Sequence, residues 1–129
     1  KSSAASDVYK RQVQRLVRNA IIRAMKKVAG EYLPPLLDAL AEHYGLSYKR
    51  VKITGSKGRW GSCSAAGSIN LSCYLMLLPS HLMDYVLLHE LSHTKEMNHG
   101  PRFWELLDSM TEGRAHLLRA ELRQFNTDF

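Results

Sequence analysis

Apolar residues recur at helical spacing near the start of the chain. Val13, Leu16, Val17, Ala20, Ile21, Ala24 and Val28 share one face of a helix. Asp7 stands where a helix cap belongs and Gly30 where a helix stops, so the pattern predicts a helix over 7–29. Residues 1–6, rich in Ser and Ala, read as a flexible end. A second helix is expected over 32–44, with Pro34 and Pro35 near its first turn and Gly45 after its last. Leu33, Leu36, Leu37 and Leu40 supply its core face.

The period then changes. Arg50 to Thr54 alternates, with Val51 and Ile53 on one side and Lys52 and Thr54 on the other, as a strand does. Gly55–Gly58 is a turn, followed by the Trp60 segment, a second turn at Ala65–Gly67 and another strand over 68–71. Cys73 to Leu78 is apolar and fits strand or helix equally. After Pro79, Ser80 is placed to cap a helix. On it Leu82, Tyr85 and Val86 share a side with His89 and His93, while Leu87, Leu88 and Leu91 face the core. Pro101 suits the first turn of a short helix carrying Phe103, Trp104, Leu106 and Leu107. A terminal helix follows over 112–125, with Leu117, Leu118 and Leu122 inward. The expected class is α+β: several helices packed on a small, mainly antiparallel sheet.

Length adds that the 129 residues suit a single domain, over 7–129. No apolar run approaches a membrane span, and none follows the first residues as in a secretion signal. The chain begins with Lys1, not Met, as a processed chain or a piece of a longer one would. Cys63 and Cys73 are too few for a disulfide framework. They read as free thiols of a reducing compartment, the cytoplasm, although a bridge between adjacent strands stays open. The net charge of +6 suits acidic partners or weak nucleic-acid binding. Arg11, Arg15, Arg18, Arg23, Lys26 and Lys27 read first as the solvated face of a scaffold helix. No aromatic residues interleave with them for base stacking.

The chemistry concentrates in His89-Glu90-Leu91-Ser92-His93 and in His99. Positions i and i+4 lie one turn apart on a helix, so His89 and His93 can face one metal ion. Glu90 adjoins the first ligand, within reach of a water that the metal activates. A turn after the helix, near Asn98 and Gly100, would bring His99 back as a third ligand. Three imidazoles with an open fourth position describe a catalytic zinc site. Glu96 occupies the place where the HExxHxxGxxH pattern has Gly, so the turn after His93 must be built another way. His43 and His116 lack ligand-spaced neighbours and read as surface or structural residues.

Taken together, Arg59-Trp60-Gly61-Ser62-Cys63, Ile69-Asn70-Leu71, Pro79, Asp84-Tyr85-Val86, the HExxH run, Asn98-His99 and Phe103-Trp104 resemble the YgjP-like metallopeptidases. These are relatives of the SprT-like proteases in the zincin group. The resemblance is clearest from about residue 50 to 107. It implies a zincin-like core with the motif helix beneath a cleft, Zn2+ on His89, His93 and His99, and Glu90 as general base. Ser72 departs from it, standing where Asn is expected.

The leading expectation is therefore a zinc metallopeptidase acting on a peptide or protein. Arg59, Tyr74, Tyr85 and Arg102 are candidates to stabilise the oxyanion. Trp60 reads as cleft wall or core, and a strand edge near Trp60 or Ile69 suits an extended peptide. A second reading is a basic DNA-associated adaptor with a structural or vestigial zinc site, or a protease acting on DNA-bound proteins. A third is a helical scaffold in which His89 and His93 hold no metal. Nickel, cobalt or copper also suit the ligand set.

Overall fold

Ala29, Leu33, Leu37 and Ala41 stand four residues apart, and all four are buried. Such a stripe faces one core only if the chain stays helical through Gly30 and the two prolines. The computed structural model, which describes residues 2–126, shows that it does. One helix, α1, runs Ser2–Tyr44, where two were expected. Pro34 and Pro35 give up their N–H groups and crowd the carbonyls of Gly30 and Glu31. Both of those residues are exposed, so water can take the freed carbonyls. Leu33 and Leu37 are fully buried. At roughly 1.5–3 kcal/mol each, they offset much of the cost of the two prolines, about 3 kcal/mol or more apiece.

The start of α1 also differs from expectation. Residues from Ser2 onward are helical, so Asp7 lies inside the helix and caps nothing. Ala4 and Ala5 are strong helix formers, and extending an existing helix gains one hydrogen bond per residue. The stripe expected to face inward from this half does not: Leu16 is 69% exposed, Val17 53% and Val28 50%. Core contact begins at Ile22 and Met25. A helix of 43 residues spans about 65 Å, and the remaining elements cover only its second half. At the C-terminal end Gly45 has φ +68°. Leu46 N–H donates to the Ala41 carbonyl and Gly45 N–H to that of Glu42, closing the helix as a Schellman motif.

The strands are β1 (Arg50–Thr54), β2 (Gly61–Cys63) and β3 (Ser68–Ser72). Their order is β1-β3-β2. β2 and β3 form an antiparallel hairpin, whereas β1 and β3 are parallel, with Val51 opposite Ile69. The sheet is thus mixed, where a mainly antiparallel one was expected. The physical reason is that β2, reached from β1 through 55–60, passes to the far side of β3. β3 is central, with Ile69 and Leu71 fully buried. β2 is an edge that lies against the motif helix. Cys73–Leu77 resolves as a 3-10 turn capped by Ser72. The Ser72 hydroxyl donates to the Ser56 carbonyl (2.7 Å) and accepts from Tyr74 N–H (3.1 Å), which gives that departure from the family pattern a local role.

Three helices complete the fold: α2 (Ser80–Ser92), α3 (Pro101–Met110) and α4 (Ala115–Leu122). Pro79, not Ser80, occupies the cap position of α2, and no side chain caps it. α2 is the centre of the core, with Leu82, Leu87 and Leu91 fully buried. α4 is shorter than the helix expected over 112–125. Glu112 (φ +56°) and Gly113 (φ +75°) are left-handed and break it. The Asp108 carboxylate accepts Ala115 N–H (3.0 Å) at its new start. Leu117, expected inward, is 67% exposed, while Leu118 is buried. Both cysteines are free. Among the described residues, no helix is long and apolar enough to cross a membrane.

Candidate metal centre

The last turn of α2 sets the site. His89 and His93 lie one turn apart, His93 at the C-cap in α conformation. The helix stops at Ser92, earlier than the expected stop near Asn98 and Gly100. Hydroxyls compete for its final carbonyls: Ser92 donates to Leu88 and Thr94 to Leu91. Glu96 N–H returns to the Ser92 carbonyl (2.9 Å). Among the described residues Glu112 is the one non-glycine with positive φ, so Glu96 turns the chain with ordinary backbone and needs no glycine.

This turn brings in the third imidazole. His99 Nε2 lies 2.9 Å from His93 Nε2 and 3.3 Å from His89 Nε2. A tetrahedral zinc with Zn–N near 2.05 Å has ligand nitrogens about 3.3 Å apart, close to these two separations, and the ligand atoms of all three histidines lie within 4.8 Å of one another. Phe103 of α3 lies beneath them, its ring centre 4.9, 4.5 and 4.8 Å from those of His89, His93 and His99. His93 Nδ1–H donates to the Glu96 carbonyl (3.0 Å), which leaves Nε2 free to ligate. His89 Nδ1 faces the Tyr85 hydroxyl at 3.4 Å. Burial, then the neighbouring His93, His99 and Arg119, lower the pKa of His89 to about 3. Burial also lowers that of His93. Both rings are therefore neutral at pH 7, the form that binds a metal.

Glu90 is buried beside the ligands. Burial pushes its carboxyl up to about 7, against the lowering influence of Arg59. Backbone presses on it from β2. A Cβ at Gly61 would sit 3.2 Å from Glu90 Cγ, 3.3 Å from its Oε2 and 3.1 Å from the Asn70 carbonyl. The close approach that Gly61 permits is thus aimed at Glu90. Cys63, two residues on, is pushed up to about 11 by burial and by the Glu90 charge, so it stays a thiol at neutral pH.

A cleft of about 280 Å³ opens over His89 and Glu90. Trp60, Gly61, Tyr85 and Val86 line it, together with Arg119, Leu122, Arg123 and Phe125 from α4 and the residues after it. Trp60 is therefore a half-buried cleft wall. Of the oxyanion candidates, Tyr85 lines the cleft and the charge of Arg59 acts on Glu90. Tyr74 is fully buried in the core, and Arg102 lines a separate hollow with Glu96 and Glu105. His116 stacks on Trp104 (4.1 Å) and His43 sits edge-on to Tyr44; neither joins the three histidines. β2 offers a sheet edge near the site, whereas Ile69 lies in the central strand. Arg119 and Arg123 were not singled out from the sequence. Their four-residue spacing on one helix face was the signal available.

Comparison with known proteins bears on the chain and its fold. A family model, the YgjP-like metallopeptidase domain, matches residues 2–125. The fold is similar to the metallopeptidase zymogen abylysin of Pyrococcus abyssi, with a TM-score of 0.62 and 25% identity over 70% of this chain and 91% of that one. It is also similar to the metallopeptidase zymogen jannalysin of Methanocaldococcus jannaschii, with a TM-score of 0.60 and 21% identity over 70% of this chain and 93% of that one. No curated protein matches the chain.

Proposed function

We propose, from the premise that this chain belongs to the YgjP-like metallopeptidase family, that it cleaves peptide bonds with Zn2+ on His89, His93 and His99 and with Glu90 as general base. The observation that carries this reading is the clustering of the three histidine ligand nitrogens beside a buried carboxylate, with His89 and that carboxylate lining an open cleft. Zinc, when bound, supplies a Lewis acid and a water of lowered pKa.

The chain's own groups then have distinct tasks. The His89 and His93 imidazoles are neutral, and the three histidines bring one ligand nitrogen each within 4.8 Å of one another. Phe103 fixes the rings from below, and the Glu96 carbonyl holds the His93 tautomer. A carboxyl raised to about 7 is well matched to accept a proton from water near neutral pH and to return it to the leaving amine. Gly61 keeps the β2 backbone against that carboxyl, which restricts its rotamers. The free edge of β2 can pair with an extended peptide backbone, setting the scissile bond beside Glu90. Tyr85, from the cleft wall, and Arg59 are the donors placed to meet developing negative charge.

The test is Glu90→Gln, assayed with zinc content measured in the same sample. Removing a general base costs roughly 10²- to 10⁴-fold in rate, with about one zinc per chain retained because Glu90 is not a ligand. A Glu90→Gln protein that holds zinc and cleaves peptides as fast as the parent would remove Glu90 from the reaction.

A further inference from the structure

The α4 part of the cleft lining carries charge that the hydrolytic reaction does not use. Arg119 and Arg123 both line the cleft, as do Trp60 and Val86. They lie four residues apart, on one face of α4 and its C-cap, and Arg123 keeps α conformation. Neither forms an ion pair among the described residues, whose pairs are Lys27–Glu31 and His81–Glu121. Glu121 lies between them in sequence, but it projects to another side of the helix and is held by His81 at 2.8 Å. Glu90 is the one carboxylate among the cleft-lining residues.

Arg119 is also held in place. Its guanidinium lies 5.6 Å from the centre of the Trp104 ring, whose other neighbours include the stacked His116. Contact with a ring leaves the edge donors of a guanidinium available, and these match a carboxylate in bidentate fashion. Its charge reaches the metal end of the cleft, where it acts on both His89 and Tyr85. Leu122 and Phe125 add apolar wall beside the two arginines.

We infer that Arg119 and Arg123 form a carboxylate-binding subsite, which makes this enzyme prefer peptides bearing a negative charge next to the scissile bond. The inference rests on the peptidase reading and deepens it. The carboxylate has two possible sources: an Asp or Glu side chain, or the free C-terminus of the substrate. Exposed arginines lose water when they bind, so the gain is that of one or two charge-assisted hydrogen bonds. That corresponds to a preference of roughly 10- to 100-fold.

Three otherwise identical peptides distinguish the sources. One is neutral with an amidated end, one has an internal Glu and an amidated end, and one is neutral with a free C-terminal carboxylate. The readout is the ratio of kcat/KM for each acidic peptide to that for the neutral one, in the zinc-loaded parent and in Arg119→Gln/Arg123→Gln. At least one acidic peptide should be favoured about tenfold or more, and the double variant should bring that ratio close to one. Which peptide is favoured identifies the source. Equal rates for all three in the parent, or a preference that survives in the double variant, would overturn the subsite. Failure of the peptidase reading is seen separately, as no zinc- and Glu90-dependent cleavage of any peptide. In that case calorimetric binding of the same peptides to zinc-loaded Glu90→Gln decides the subsite. Tighter binding of an acidic peptide, lost on adding the two arginine substitutions, supports it, and equal binding contradicts it.

Discussion

At Gly61 a hydrogen atom in place of a methyl group leaves room for the Glu90 carboxylate, the proposed general base. The tightest atoms around a Cβ there are the Asn70 carbonyl, which is fixed backbone, and the Glu90 side chain. Gly61→Ala must therefore displace Glu90 or spread β2 from β3. A displacement approaching 1 Å costs as much as 100-fold in rate, so a fall in kcat/KM of about 10- to 100-fold is expected, with zinc content unchanged because no ligand moves. Peptidase assays on the parent and Gly61→Ala would check this; an unaltered kcat/KM would show that the approach is not tight in solution. At this scale the sequence was informative where chemistry is local. His89, Glu90 and His93 are tied by helix spacing, and His99 by a short turn. The contact of Gly61 with Glu90 was not legible, because it joins β2 to α2 across 29 positions of sequence.

Among the elements, α1 shows what periodicity can and cannot say. Apolar spacing identified a helix, and Gly45 its end. The same spacing led to an inward face over Val13–Val28 that the fold leaves open, since no element packs there. Gly30 and Pro34–Pro35 read as a boundary, yet the four-residue stripe from Ala29 to Ala41 keeps the two halves in phase. Local propensity lost to tertiary packing. Two truncations separate the halves. Leu33→Ala, in the fully buried stripe, should cost about 2–5 kcal/mol. Leu16→Ala, 69% exposed, should change stability by no more than about 0.5 kcal/mol. Urea unfolding of the two variants measures both, and comparable losses would mean that the first half of α1 is packed. β1 and β3 lie where strands were expected, whereas β2 falls in the Trp60 segment, which carried no strand assignment. The mixed pairing was not legible, because pairing direction depends on which side of β3 the chain reaches.

For the molecule as a whole, the catalytic floor comes from one short stretch of chain and the cleft from several distant ones. Residues 89–103 supply the proposed ligands, the proposed base and the ring platform. Trp60 and Gly61 come from the sheet edge, and Arg119 and Arg123 from α4. The floor was therefore readable from spacing, whereas the rest of the cleft lining required the fold. Everything functional proposed for this chain depends on the three histidines holding one metal ion. The most direct measurement is elemental analysis of the purified protein, parent against His99→Ala, after equal exposure to zinc. About one zinc per chain in the parent and a large loss in His99→Ala is the predicted result. A parent that takes up no metal would contradict the metallopeptidase site, and full retention in His99→Ala would contradict the three-histidine ligand set.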